Sequence, residues 1–327
     1  MSQPAIEITG VTKRFREKLA VDNLDLVVPD GSLCGFLGPN GAGKTTTIRM
    51  VMAIFFPDAG NISVLGRKSA IESKDRIGYL PEERGVYRKM KIAEFLTYIA
   101  SLKGVKGPGL KKKIDDWLER VGLPEVRKKR CEELSKGMQQ KIQFIATIIH
   151  DPDLIILDEP FSGLDPVNVR LLRELLDDLH KNGKTIIFST HVLHQAEQFC
   201  DRIFMINRGR KILDGSMDEI RERFNPRSLL VQPMDESSLA AVQPSIESLP
   251  AVRAVSKGGS VGEMDVHLAD DADPQSVMRS IFDVAPMRRV ELRRATLEDI
   301  FVSLVDTEDS EDVIRASLKN EQMEAVG

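Results

Sequence analysis

The chain has 327 residues, of which 42% are hydrophobic and 29% are charged. This balance is ordinary for a globular protein and excludes both wholesale disorder and a collagen-like sequence. At roughly 100–200 residues per domain, the length predicts two domains. The three cysteines are widely spaced and form no CxxC pair, which argues against a disulfide framework and against a zinc site.

Targeting signals and net charge narrow the class of protein. No apolar run approaches the ~18 residues that a membrane-spanning helix requires, and the first ten residues lack the pattern of a secretion signal, so we expect a soluble intracellular protein. Residues 1–224 carry 36 Lys and Arg against 31 Asp and Glu, whereas residues 225–327 carry 10 against 19. The positive excess is too diffuse to indicate nucleic-acid binding, but the change of sign indicates a domain boundary near residue 225.

Short apolar runs alternate with helical patterns up to residue 224. The predicted strands lie at 32–37, 153–157, 184–189 and 202–207, and the predicted helices lie at 45–53, 135–150 and 167–182. This alternation predicts an α/β fold with a mainly parallel sheet. Residues from about 91 to 134 interrupt the alternation with a continuous helical pattern, so we expect a helical subdomain at about 91–150.

Residues 225–327 have a different sequence pattern. Residues 225–305 alternate short strands and helices without long apolar runs, which predicts a small α+β accessory domain after a main domain at 1–224. Residues 306–327 carry seven acids against two bases and few apolar residues. This composition predicts a disordered acidic tail.

The segment GPNGAGKT at 38–45 fits the phosphate-loop pattern GxxxxGK[ST]. Glycines allow backbone N–H groups to surround a phosphate, and the following helix directs its positive end at the same place. Lys44 can then reach the β- and γ-phosphates, and the Thr45 hydroxyl can ligate Mg²⁺. A chance match in a turn is the alternative, but an apolar strand precedes the loop and a helix follows it. The predicted nucleotide-binding residues here are Gly38, Pro39, Asn40, Gly41, Ala42, Gly43, Lys44, Thr45 and Thr46.

The segment LIILDEP at 154–160 is an apolar strand that ends in two acids. In parallel sheets, ligands bind at the carboxyl ends of the strands. Asp158 is therefore a candidate Mg²⁺ ligand, and Glu159 is a candidate base that orients and deprotonates the attacking water. The alternative is a strand that simply runs into an acidic turn, and the presence of the phosphate loop favours the functional interpretation.

The order of five motifs resembles the nucleotide-binding domain of an ATP-binding cassette (ABC) transporter. The motifs are GPNGAGKT at 38–45, LSKGMQQK at 134–141, LIILDEP at 154–160, SGLD at 162–165 and STH at 189–191. The resemblance covers residues of about 5–224. It implies a P-loop NTPase cassette with a mainly parallel core, antiparallel strands and a helical subdomain, followed by the small α+β domain.

In that family two cassettes pack head to tail around ATP, which implies roles for further residues. Ser135 and Gly137 would contact the γ-phosphate bound by a second copy, although a Ser-capped helix is the simpler interpretation of LSKGM alone. His191 would contact the γ-phosphate and steady Glu159. Asp165 would link the two sites of the dimer. Phe15 would stack on adenine, the alternative being an ordinary apolar residue at a strand end.

Two departures from the family pattern indicate a subgroup within the family. The family usually has Gln in the loop that leads to the helical subdomain, whereas this chain offers Glu82, whose carboxylate could ligate Mg²⁺. The signature reads LSKGM where LSGGQ is usual. Both variants, and the ending TLEDIFVSLV at 296–305, resemble a bacterial subgroup that serves ABC-2-type exporters.

The resemblance implies an ATPase that uses ATP and Mg²⁺, acts as a homodimer and powers export through a separate integral-membrane permease of the ABC-2 type. Its expected place is the cytoplasm, peripheral on the cytoplasmic face of the cell membrane, with no nucleic acid as partner. Two alternatives remain: a soluble ABC ATPase that acts on ribosomes or DNA, and a degenerate cassette that binds ATP as a structural switch. The basic runs at 111–113 and 127–130 are predicted to be solvated faces, with contact to a membrane partner as the alternative.

Overall fold

The structure is a computed structural model that describes residues 3–83, 85–225, 227–235 and 238–305. The described residues form two compact units, one up to Met217 and one from Asp218. The predicted domain limits of 1–224 and 225–305 stay predictions, because compactness does not show which segment folds by itself. The tail at 306–327 lies outside the described residues.

The strands and helices of the first unit follow one another in an α/β order. They are β1 Ile6–Phe15, β2 Lys18–Val28, β3 Leu33–Leu37, α1 Lys44–Val51, β4 Ala59–Val64, β5 Ile77–Leu80, α2 Ile92–Leu102, α3 Gly109–Arg120, α4 Lys136–Ile148, β6 Leu154–Asp158, α5 Pro166–Lys181, β7 Thr185–Thr190, α6 Leu193–Glu197, β8 Arg202–Asn207 and β9 Arg210–Ser216. Short 3₁₀ helices lie at Ala70–Arg76, Pro124–Lys128 and Cys131–Glu133. Helix α7, Met217–Arg223, follows β9.

The central sheet has six strands in the order β5-β6-β7-β3-β8-β9. All neighbouring pairs are parallel except β8 and β9, which are antiparallel. Every residue of β3, β6 and β7 is buried. Strands that are covered on both faces require continuous apolar sequence, and such sequence is what predicted these strands. The predicted mainly parallel core is confirmed.

A second sheet of three antiparallel strands, in the order β2-β1-β4, packs beside the central sheet. Its inward side chains, among them Ile8 and Leu24, share one apolar core with Phe36 of β3 and Ile48 of α1. This core fixes α1 against the end of β3. The loop between β3 and α1 is thereby held at its two ends by buried elements.

The second unit is a four-stranded antiparallel sheet in the order β11-β12-β10-β13. Its elements are β10 Ser228–Pro233, α8 Leu239–Glu247, β11 Val252–Lys257, β12 Met264–Leu268, α9 Pro274–Val284 and β13 Met287–Leu292, and a further helical segment covers 297–305. Val242 and Ile246 of α8 and Val277 and Ile281 of α9 share a core with the central strands β10 and β12. Helices packed against an antiparallel sheet make this unit an α+β fold, as predicted.

Among the described residues, no helix is both long and apolar enough to cross a membrane.

Candidate nucleotide-binding site

The loop between β3 and α1 depends on glycine at two positions for steric reasons. A Cβ at Gly38 would lie 2.2 Å from the Ile206 carbonyl oxygen, and a Cβ at Gly43 would lie 2.6 Å from the Ala20 carbonyl oxygen. Their φ angles of 152° and 113° are also ones that side chains disfavour. The loop can therefore pass close to neighbouring backbone only because both positions lack a side chain.

Lys44, the first residue of α1, points back into this loop. Its ammonium donates to the carbonyl oxygens of Gly38 at 2.7 Å and Pro39 at 3.2 Å, and its side chain is only 6% exposed. Burial lowers the pKa of Lys44, and the negative charges of Glu159, Asp158 and Glu82 oppose that shift. The side chain is thus a cation held within the loop, in the position predicted for a phosphate contact.

Asp158 ends β6, where the parallel register places it beside Ser189 of β7. Its Oδ1 accepts hydrogen bonds from the Ser189 hydroxyl at 2.5 Å and the Thr45 hydroxyl at 3.2 Å. The side chain is fully buried, and burial raises its pKa while the two hydrogen bonds lower it. The carboxylate therefore joins the central sheet to the first turn of α1.

Glu159 follows with a left-handed backbone, at a φ of 49°. A residue other than glycine adopts this conformation at a cost of order 1–3 kcal/mol, and such strain is concentrated at functional sites. The Glu159 N–H donates to the Ser189 hydroxyl at 3.1 Å, which holds the turn in place. As a result the Glu159 carboxylate lies 3.0 Å from His191 Nδ1 and 3.8 Å from Lys44 Nζ.

A cavity of about 360 Å³ opens over the loop, within the size range of small-molecule sites. Its lining residues are Phe15, Lys18, Ala20, Asn40, Gly41, Gly43, Lys44, Thr45, Thr46, Glu82 and Glu159. The cavity brings together six of the nine predicted loop residues, the predicted base and Glu82. Lys18 is a basic lining residue that the sequence did not single out, because no motif surrounds it.

Phe15 lies at the rim of this cavity with 40% of its surface exposed. Its ring packs edge to face on Phe55 at 5.5 Å between centroids, and Lys13 Nζ lies 5.5 Å from the ring centre. The ring is thus anchored at one side and accessible at another. An accessible ring beside the phosphate loop is compatible with stacking on a base, and that role stays a prediction.

Eight predicted site residues do not line this cavity: Gly38, Pro39, Ala42, Ser135, Gly137, Asp158, Asp165 and His191. Ser135 caps α4, where its hydroxyl accepts from Met138 N–H at 3.3 Å, and Gly137 lies in the first turn of that helix. Asp165 caps α5 and accepts from Asn168 N–H at 2.9 Å, a bond that lowers the pKa of this carboxyl. Ser135 and Asp165 thus cap helices, and the predicted nucleotide contacts of Ser135, Gly137 and Asp165 stay predictions.

The residues present fit a magnesium ion. Asp158 Oδ2 is buried and has no hydrogen-bond partner among the described residues, and the Thr45 hydroxyl lies beside the same carboxylate. A carboxylate and a hydroxyl are oxygen ligands of the kind Mg²⁺ takes, with water and substrate phosphates completing its shell. No cluster of three or more His, Cys, Asp or Glu that could hold a metal occurs in the described ranges. Asp158 and Thr45 therefore offer two oxygen ligands of the kind that Mg²⁺ takes.

Comparison with known families matches both parts of the chain. The model of the family described as "ABC transporter" matches residues 21–162. The model described as "ATP-binding protein DrrA1-3-like, C-terminal domain" matches residues 215–305. The first match contains the phosphate loop and the Asp158–Glu159 pair.

Individual relatives extend the similarity over almost the whole chain. The "uncharacterized ABC transporter ATP-binding protein YhaQ" of Bacillus subtilis (strain 168) is 39% identical over 92% of this chain and 98% of its own length. The "Nod factor export ATP-binding protein I" of Rhizobium sp. (strain N33) is 34% identical over 94% of this chain and 99% of its own. A solved structure titled "ATP binding subunit of ABC transporter" matches with a TM-score of 0.63 and 28% identity over 67% of this chain and 93% of that one. The predicted cassette fold is confirmed.

Proposed function

The chain belongs to the family of ABC transporter ATP-binding proteins, and we propose that it hydrolyses ATP to power export through a separate integral-membrane permease. The observation that carries this proposal is the set of contacts that joins the phosphate loop to a base. Glu159 Oε1 lies 3.8 Å from Lys44 Nζ and 3.0 Å from His191 Nδ1, and Lys44 and Glu159 both line the cavity. Binding alone would require the loop but not a carboxylate held beside it.

The loop residues supply the binding function. Backbone N–H groups at 41–45 and the positive end of α1 attract the phosphates, and the Lys44 ammonium is the one side-chain cation we assign to them. Lys44 would exchange its carbonyl partners for phosphate oxygens. Thr45 and Asp158 would hold Mg²⁺, which supplies charge neutralisation at the phosphates when bound. Glu82 at the cavity rim is the proposed third oxygen ligand.

Glu159 is the proposed base, since it is the carboxylate that lines the cavity next to Lys44. It would accept the proton of the attacking water, a role that typically contributes about 10²–10⁴-fold to the rate. The bond from His191 keeps Oε1 oriented, and the bond between the Glu159 N–H and the Ser189 hydroxyl keeps the backbone turn. The strained φ at this residue therefore has a function, because it aims the carboxylate into the cavity instead of into the sheet.

A homodimer would complete the site. Ser135 and Gly137 lie at the start of the 13-residue helix α4, whose first N–H groups can receive an anion. They are absent from the lining of their own cavity, which supports the proposal that they contact a γ-phosphate bound by a second copy. Asp165, exposed at the start of α5, would link the two sites. We propose this head-to-tail arrangement as the active form.

Export is the proposed direction of transport. The Rhizobium relative that is similar over nearly the full length of the chain is named for export of Nod factor, and the second unit matches a family of ATP-binding proteins as well. The permease would be of the ABC-2 type, with this subunit in the cytoplasm, peripheral on the cytoplasmic face of the membrane. No observation on the described residues favours the alternative of a soluble ATPase that acts on ribosomes or DNA.

Glu159→Gln tests the catalytic assignment. We expect phosphate release to fall by about 10²–10⁴-fold while ATP binding is retained, since the amide keeps the shape but cannot accept a proton. Glu119→Gln, an exposed site on α3, makes the same chemical change away from the cavity and should leave the rate unchanged. A normal rate in Glu159→Gln would refute the role of base. Co-purification of an integral-membrane protein from solubilised membranes tests the partner.

A further inference from the structure

Two basic stretches that are distant in the sequence lie side by side in the helical region. Residues 88–92 run antiparallel to residues 129–132, and Lys91 and Arg130 form a bridge pair. Three backbone hydrogen bonds of 3.0 Å fix the arrangement: Ile92 N–H to Lys129 O, Cys131 N–H to Met90 O, and Glu132 N–H to Arg88 O. We call residues 88–91 and 128–130 the basic ribbon.

The basic ribbon carries six exposed cationic side chains. They are Arg88, Lys89, Lys91, Lys128, Lys129 and Arg130. Among the ion pairs of the described residues, the only one that involves the ribbon joins Arg130 to Glu132 at 3.8 Å, with both side chains largely exposed. Residues 85–134 carry 13 Lys and Arg against 7 Asp and Glu, although the whole chain carries 46 against 50. Residues 85–134, which include the ribbon, therefore carry a positive excess in a chain that is negative overall.

Like charges face one another across the basic ribbon. Lys91 and Arg130 lie opposite one another across the ribbon, where like charges are destabilising. The three backbone hydrogen bonds hold the two stretches together. An external anionic surface would remove this repulsion.

An aromatic pair borders the basic ribbon. Tyr87, next to Arg88 in sequence, is 52% exposed and packs edge to face on Tyr98 of α2 at 5.6 Å between centroids. Tyr98 is itself 39% exposed. Tyrosine presents an apolar ring with a polar end, and it is enriched where membranes meet water. Cationic and interfacial aromatic side chains thus lie on neighbouring surface.

We propose that the basic ribbon binds the anionic headgroups of a phospholipid membrane. A cluster of four to eight basic residues is the typical size of a site for acidic lipids. Each Lys or Arg near such a surface contributes about 1 kcal/mol, which corresponds to about fivefold in affinity. This contact needs neither a permease nor ATP, so it is independent of the function proposed above.

The test is flotation of the full-length protein with permease-free vesicles. The wild type should float with vesicles that contain phosphatidylserine and remain behind with vesicles of phosphatidylcholine alone, and added salt should weaken binding. Lys128→Gln with Lys129→Gln should lower the affinity for the acidic vesicles by about 30-fold. The matched control is Lys111→Gln with Lys112→Gln, which removes the same charge from an exposed face of α3 and should retain binding.

Four results would overturn the proposal. One is equal flotation of the wild type with both kinds of vesicle, and another is unchanged affinity in the Lys128/Lys129 variant. A third is an equal loss in the control, which would mean that net charge and not the ribbon determines binding. The last is displacement by inorganic phosphate or duplex DNA at concentrations comparable to the lipid, which would identify a general anion site. ATP binding by each variant reports that it is folded.

Discussion

Replacing Ser189 by alanine is the sharpest test of how the site is held together. One hydroxyl serves two residues, since it donates to Asp158 Oδ1 at 2.5 Å and accepts from the Glu159 N–H at 3.1 Å. Ser189 itself is fully buried, so no water replaces the lost group at the surface. The substitution therefore disturbs Asp158, the proposed metal ligand, and Glu159, the proposed base, without replacing either residue.

The magnitude follows from the two bonds. A hydrogen bond to a buried charged group contributes about 1.5–3 kcal/mol. The second bond contributes less, because the Glu159 N–H also lies 3.2 Å from the Ser189 carbonyl oxygen, which stays. We expect Ser189→Ala to lower the free energy of unfolding by about 2–3 kcal/mol at neutral pH. We expect kcat to fall by about 10–100-fold, the usual effect of losing a residue that orients a metal ligand.

The effect has a defined pH dependence. Burial raises the pKa of Asp158, whereas the bond from Ser189 lowers it, so this bond favours the ionised carboxylate. Its stabilisation is therefore present when Asp158 is ionised and is lost as pH falls through the pKa of Asp158 in the folded protein. The difference in unfolding free energy between wild type and variant should shrink on acidification.

Urea unfolding at several pH values and steady-state phosphate release measure these effects. Ser32→Ala is a matched control, because its hydroxyl makes a neutral hydrogen bond to Pro29 O at 2.7 Å away from the site. That variant should lose about 0.5–1.5 kcal/mol without a pH trend and keep its kcat. If Ser189→Ala behaves as Ser32→Ala does, the hydroxyl does not organise the site.

Two further predictions concern the loop and a buried histidine. Gly38→Ala should destabilise by about 2–6 kcal/mol through backbone strain and the clash with Ile206, whereas Gly41→Ala, whose Cβ meets no atom within 4 Å, should cost about 1–2 kcal/mol. Equal urea midpoints would contradict the steric argument. Burial lowers the pKa of His150 to about 4, so the unfolded chain binds a proton first and stability is lost as pH falls below about 6.5. His150→Gln should flatten this decline in a pH series of thermal melts, and an equally steep decline would assign it to other groups.

The strands of the central sheet could be predicted because fully buried strands consist of consecutive apolar residues. The predicted strand at 202–207 is the observed β8, and the predicted 153–157 is shifted by one residue from β6 at Leu154–Asp158. The sheet β2-β1-β4 has no such runs, because buried and more exposed residues tend to alternate along β1 and β2. These strands were therefore expected only from the family resemblance.

The parts of the site that sequence could not supply depend on pairing between distant residues. Ser189 stands next to Asp158 because of the register of β6 and β7, two strands separated by α5. The motif STH draws attention to the histidine, and only the register reveals that its serine carries two hydrogen bonds. The basic ribbon has the same origin, as it joins runs that pair only after the helical region has folded.

The geometry also explains how two carboxylates with different proposed roles, Asp158 as metal ligand and Glu159 as base, can adjoin in one turn. Asp158 ends a strand and points into the buried sheet edge, so its successor would in extended backbone point to the opposite face. The left-handed φ of Glu159 breaks this alternation and brings its carboxylate to Lys44 and His191 instead. Asp158 is held by hydroxyls of Ser189 and Thr45 and Glu159 by cationic or imidazole groups, so the two carboxylates have separate partners. A turn that restored extended backbone at Glu159 would leave the phosphate loop intact and remove the proposed base from it, so under the proposed function we expect turnover to depend on this strained residue.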